Sequence, residues 1–155
     1  MRLYIPLIAS ELAAPVSARI AHGVTARLRQ AIPNEDDEGW EMIATLAAAD
    51  DSLRLMSNAP HEQCRRRLVA IAETDVPCSD DPQLPTALQM SASVSWDQVV
   101  SILVDEPGQH ALISQAIAGD EAAFLACGDI ELLWYDVCER ADLMRELGVS
   151  GELEN

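Results

Sequence analysis

Val99-Val100-Ser101-Ile102-Leu103-Val104-Asp105 is the stretch that decides the fold. It is apolar and rich in β-branched residues, and Glu106, Pro107 and Gly108 close it. A run this short with such punctuation predicts a strand buried on both faces. Its carboxyl end carries Asp105 and Glu106, and ligands in open α/β sheets gather where strands end.

Further strands are expected on either side. Leu68–Thr74 is apolar and is closed by Asp75-Val76-Pro77; Arg2–Ile8 is aromatic and β-branched, and Pro6 within it predicts a strand end or an edge position. Thr86–Val94 alternates loosely and predicts an exposed strand; Asp129–Val137 reads as a continuing helix or a last strand, and Trp134, Tyr135 and Val137 favour the strand.

Between these runs lie helices. Ser10 offers an N-cap to a helix through about Ala21, and Thr25 to a turn over Ala26–Ile32. The clearest helix starts at Asn34, carries Glu35, Asp36, Asp37 and Glu38 in its first turn, and shows an apolar stripe of Met42, Leu46, Ala49, Leu53 and Met56. Ser57, Asn58 and Pro60 end it. Ser95 caps a single turn, Pro107 opens a helix to Gly119, Asp120 opens another to Cys127, and Glu139–Leu147 forms the last before Gly148. This order predicts one α/β domain over residues 1–149, with a frayed tail at 150–155. The expected architecture is a mixed, mostly antiparallel sheet of four to five strands covered by helices. A ferredoxin-like βαββαβ core with extra helices is the preferred topology.

Composition narrows the function classes. The 155 residues are 49% hydrophobic, enough for one core, and 26 acids against ten bases, all arginine, give a net charge of −16. That charge argues against direct binding to a nucleic-acid backbone or an anionic membrane, and favours a protein partner with a basic surface. Cys64, Cys78, Cys127 and Cys138 are scattered and far from His22, His61 and His110, unlike the paired ligands of a zinc site. Reduced thiols, an opening apolar stretch interrupted by Glu11, and no run approaching a membrane span lead us to expect a cytoplasmic protein. A homodimer is left open.

Walker, G-x-G-x-x-G, H-E-x-x-H and G-x-S-x-G patterns are missing. One constellation remains. Asp75, Asp105 and Asp136 each fall at or near the end of an expected strand. Strands running the same way would bring them to one rim, where carboxylates and water suit Mg²⁺ and a small metal-dependent hydrolase. The plainer reading is that aspartate ends strands and caps helices. The Glu35–Glu38 run offers a docking face for the basic partner, beside its reading as a solvated, dipole-matched helix start. Arg65, Arg66 and Arg67 form the one basic cluster, able to hold a phosphate or carboxylate, or to pair with acids and guard a strand. Trp96, Trp134 and Tyr135 could line a pocket or sit in the core, and His110 could serve as a base if a carboxylate oriented it.

Met1-Arg2-Leu3-Tyr4-Ile5-Pro6-Leu7, Val24–Leu28, Ser52-Leu53-Arg54-Leu55, the strand ending at Asp105, and Glu131-Leu132-Leu133-Trp134-Tyr135 resemble segments of an uncharacterised family of small acidic proteins from high-GC Gram-positive (actinobacterial) bacteria. The likeness spans most of the chain and rests on packing motifs. It implies a cytoplasmic α/β protein of such a bacterium and transfers no catalytic residue. The leading expectation is an accessory or regulatory protein working through protein–protein contact without a cofactor. The alternative is the Mg²⁺-dependent enzyme.

Overall fold

The computed structural model describes residues 1–155. Seven strands form one sheet: β1 (Arg2–Leu7), β2 (Ile20–His22), β3 (Leu68–Glu73), β4 (Cys78–Asp80), β5 (Ala87–Met90), β6 (Val99–Asp105) and β7 (Leu132–Asp136). Their order is β4-β5-β2-β1-β3-β6-β7, and every neighbouring pair is antiparallel. The helices are α1 (Ala26–Ala31), α2 (Asp37–Ser57), α3 (His110–Ile117), α4 (Glu121–Ala126) and α5 (Arg140–Glu146), with 3-10 turns at 9–13, 96–98, 127–129 and 137–139.

The α+β class holds, but the sheet has seven strands where four to five were expected, and no parallel pair. The two strands that composition missed, β2 and β4, are three residues each, too short for any periodicity to mark them. The neighbours are also not those of a ferredoxin-like core. The chain leaves β2, passes through α1 and α2, and returns as β3 on the far side of β1, so the strand enclosed by this crossover is the earliest one.

Several local expectations need correction. The helix expected from Ser10 shrinks to the 3-10 turn at 9–13, and the following residues bridge Val16 to Val94 and form β2. The strand β5 is mostly buried between β4 and β2, not exposed. Pro6 sits in an interior strand. Within a strand, N and carbonyl of one residue point to the same side, and the Pro6 carbonyl accepts from Arg19 Nη1 at 3.0 Å. The β1–β2 ladder has only the Tyr4–His22 pair. Proline's missing donor therefore falls where β2 has already diverged.

Both faces of the sheet are covered. Leu3, Ile5, Leu7, Leu68, Ala70, Ile102 and Val104 pack on one side with Leu12, Trp96, Leu143 and Met144. Tyr4 and Val69 meet Ala44, Ala48 and Ala49 of α2 on the other. Three alanines on one helical face let the helix backbone approach the strands closely. Ser52 completes that seam: its hydroxyl donates to the Leu7 carbonyl at 2.6 Å and accepts from the Leu68 amide at 3.1 Å. Farther along, Leu53 and Met56 of α2 join Ile113, Ala116, Ala123 and Cys127 in a satellite cluster.

The carboxyl end of β6 and the start of β3 are locked by charge. Asp105 is fully buried and Arg67 is 1% exposed. The Asp105 carboxylate accepts from the Arg67 amide at 2.7 Å, from Nε at 3.0 and 3.1 Å, and from Nη2 at 3.0 Å. Nη2 also donates to the Cys127 carbonyl at 2.9 Å. Removing one member of such a pair strands a buried charge. Asp105→Asn or Arg67→Met is expected to lower the unfolding free energy by about 3–5 kcal/mol. The double replacement Arg67→Met with Asp105→Leu should recover most of that loss, and urea denaturation of the four proteins measures it.

Candidate functional site

The most apolar concavity lies where α1, α2 and the loop before β5 converge. Leu28 and Ile32 form one wall, Ile43, Leu46 and Ala47 of α2 a second, and Leu84 and Pro85 the third, around about 430 Å³. The side chains follow from helical spacing. The i, i+4 row that buries Ala44 and Ala48 turns Ile43 and Ala47 toward α1. Thr25 caps α1 by accepting from the Leu28 amide at 3.0 Å, and its own hydroxyl donates to the Pro85 carbonyl at 2.5 Å, tying helix to loop. Ile32 and Leu84 remain 40% and 43% exposed at the lip.

Polar groups reach the groove through Asp50, Arg54 and Thr86. Behind Thr86 runs a buried chain of contacts: its Oγ1 lies 2.8 Å from His22 Nδ1, and His22 Nε2 lies 2.6 Å from Asp51 Oδ2. Asp51 Oδ1 accepts from Arg54 Nη1 at 2.7 Å. Asp50 and Asp51 are adjacent yet pushed in opposite directions. Burial holds the Asp50 carboxyl above the ordinary aspartate range, offset only in part by Arg67 and Arg54. Burial opposes ionisation of Asp51 too, but hydrogen bonds from His22 and Arg54 outweigh it and lower its pKa. The nearest Arg67–Asp50 approach is 3.9 Å, and Arg67 Nη1 has no hydrogen-bond partner. The groove thus combines apolar walls, few polar groups and a carboxyl whose ionisation burial disfavours.

The residues singled out from sequence are spread more widely. Asp105 is consumed by Arg67. Ser101 pairs with Asp136 and Val99 with Ala72, so Asp136 and the stretch after β3 that holds Asp75 lie toward the start of β6, away from Asp105 at its end. Asp136 caps the turn at 137–139 by accepting from the Cys138 amide at 2.9 Å. Antiparallel pairing thus separates the three carboxylates instead of gathering them, and no group of three or more His, Cys, Asp or Glu is arranged around a metal position. The three carboxylates expected on one rim therefore do not share one: Asp105 stands at the opposite end of β6 from the other two.

Glu35, Asp36, Asp37 and Glu38 are exposed, and the N-cap of α2 is Asp36, two residues later than expected, accepting from the Gly39 amide at 2.8 Å. Trp96 is core, donating to the Ala14 carbonyl at 2.6 Å under the Arg140 guanidinium, whereas Trp134 is 61% exposed on the sheet edge. Tyr135 donates to Glu146 at 2.8 Å. His110 starts α3, and Arg65 and Arg66 border the same cavity. Asp50 and Thr86 at the groove, and His22 and Asp51 behind Thr86, were not anticipated. They come from segments 29 to 64 residues apart, and no local spacing marks them.

Opposite shifts give opposite signs with pH. The lowered pKa of Asp51 contributes stability that is present above the ordinary aspartate value, about 4, and is lost as pH falls through the folded value. The raised pKa of Asp50 works the other way, favouring the fold as that carboxyl takes up a proton. Asp51→Asn should therefore cost about 1–3 kcal/mol at pH 7, with the deficit shrinking toward pH 3, while Asp50→Asn should be neutral or stabilising at pH 7. Urea melts across that pH range read both.

No helix is long and apolar enough to cross a membrane. No curated protein and no solved structure matches the chain. A family model covers residues 1–144, and the chain belongs to that family, described as a family of unknown function (DUF6912).

Proposed function

We propose that this protein works by binding a partner protein, and that the groove between α1, α2 and the 84–86 loop receives an amphipathic segment with basic side chains. The observation that carries this reading is an apolar groove set in an acidic surround. Ile32, Ile43, Leu46 and Leu84 supply apolar contact. Glu35, Asp36, Asp37 and Glu38 stand exposed at the amino end of α2, and Asp80 is largely exposed beyond the opposite wall. Asp50 presents a carboxyl at the floor.

Charge complementarity supports a basic occupant. A net charge of −16 repels an acidic segment and draws a basic one. Apolar side chains seated in the groove would supply most of the affinity, and rim acids would govern encounter rate and salt response. An enzymatic reading has no comparable support, because the carboxylates it needs are separated or consumed.

A leucine–lysine amphipathic peptide of about 12 residues and its leucine–glutamate counterpart separate these contributions. The basic peptide should bind, and Ile32→Ser with Leu84→Ser should weaken it by about tenfold or more. Replacing Glu35, Asp36, Asp37 and Glu38 by their amides should flatten the salt dependence while sparing much of the affinity at high salt. Equal binding of the groove variant, or of the acidic peptide, would overturn the proposal. Fluorescence anisotropy at two ionic strengths makes the comparison.

A further inference from the structure

In a chain with 26 acids, the arginines are mostly neutralised. Arg2, Arg19, Arg27, Arg54, Arg67 and Arg145 each have a carboxylate partner. Arg29 and Arg140 lack one but lie over the rings of Trp40 and Trp96. Arg65 has neither kind of partner, and Arg66 has a carboxylate at much the distance of the Arg27–Asp80 pair. Arg65 makes no ion pair within 4.0 Å and donates only to the Glu62 carbonyl, at 2.6 Å. Arg66 donates from Nε to the Asp105 carbonyl at 2.8 Å and holds Glu146 at a loose 3.5 Å through Nη1. Its Nη2 is buried with no hydrogen-bond partner at all.

Both arginines line a cavity of about 250 Å³ beyond the carboxyl end of β6. The facing wall is Pro107 to His110. Gly108, at φ +94°, turns the chain there, and α3 begins with no side chain capping its first turn. Free amide donors and the positive end of the helix dipole are thus set beside two guanidinium groups and an imidazole. Buried donors without acceptors are costly, and an anion in this cavity would supply acceptors to both walls. Charges on the rest of the molecule are screened over about 8 Å at physiological salt, so the local cations govern the cavity despite the net charge.

We propose that this cavity binds a phosphate group, either free or as the monoester of a small molecule. Two planar guanidinium forks with amide donors suit a dianion offering several acceptor oxygens. The volume leaves room beyond the phosphate for a small organic portion. Glu146 competes with the ligand for Arg66 and repels it, so binding displaces that weak ion pair.

The test is titration of the intact protein with inorganic phosphate, glycerol phosphate and acetate at constant ionic strength, followed by calorimetry. Phosphate should bind in the millimolar range or tighter, and Arg65→Gln should weaken it by about tenfold. Glu146→Gln should tighten it several-fold, a change of sign that a merely structural role would not produce. Both side chains are outside the core, so the variants keep the fold. Stronger binding of glycerol phosphate identifies an organic monoester, and equal binding identifies free phosphate. Absence of phosphate binding, an acetate affinity as high as phosphate, or indifference to both variants would overturn the proposal.

Discussion

Everything in this fold hangs on a guanidinium and a carboxylate placed where water cannot reach them. Desolvating Arg67 and Asp105 is expensive, and the cost is met only because the donors and acceptors converge with good geometry. The Arg67 amide and two side-chain nitrogens serve Asp105, and Nη2 reaches on to Cys127. One side chain thereby joins the start of β3, the end of β6 and the turn after α4. The approach of Nη1 to Asp50 extends the linkage into α2. The carboxylate at the end of the decisive strand is thus a structural anchor, and the arginine beside it is separated in role from Arg65 and Arg66, which the same local sequence leaves facing a cavity.

The long helix α2 shows how one element serves two surfaces. Its alanines and Ser52 close onto the strands, and Ile43, Leu46 and Ala47 are left to face α1. A helix with apolar residues on more than one side needs more than one partner. The sheet supplies the first, the α3–α4 cluster the second, and the groove is the flank that neither covers fully. Acids at its amino end stabilise the helix dipole and also set the charge of the groove's surroundings. Local stability and surface recognition therefore draw on the same residues.

Long, uniform segments were legible in the sequence because their patterns are local. The β6 run, the body of α2, and the Thr25, Ser95 and Asp120 caps appear where the residues indicate. Three-residue strands were not legible, since β2 and β4 take their identity from the neighbours they pair with. The same limit applies to sites. Asp105 could be read as a strand-end acid, but its partner stands 38 residues upstream and its burial depends on the whole sheet. His22 falls just past the helix expected to run to Ala21, whereas it terminates a strand and bridges Thr86 to Asp51. An interior strand containing proline ran against the usual preference, and only the short β1–β2 ladder explains why it is tolerated.

The order of strands also governs how the chain can assemble. β1 is first in sequence but central in the sheet, and its long ladder is with β3, pairing Leu7 with Leu68 and Arg2 with Glu73. β2 likewise waits for β5, with Ile20 opposite Gln89. Loop closure over such separations must precede the contacts that reward it, which slows folding relative to a helical bundle of equal length. During synthesis, the apolar β1 emerges well before β3, and β2 offers it only the single Tyr4–His22 pair. Until β3 follows, it is an unpaired hydrophobic edge that must be kept from its copies on neighbouring chains.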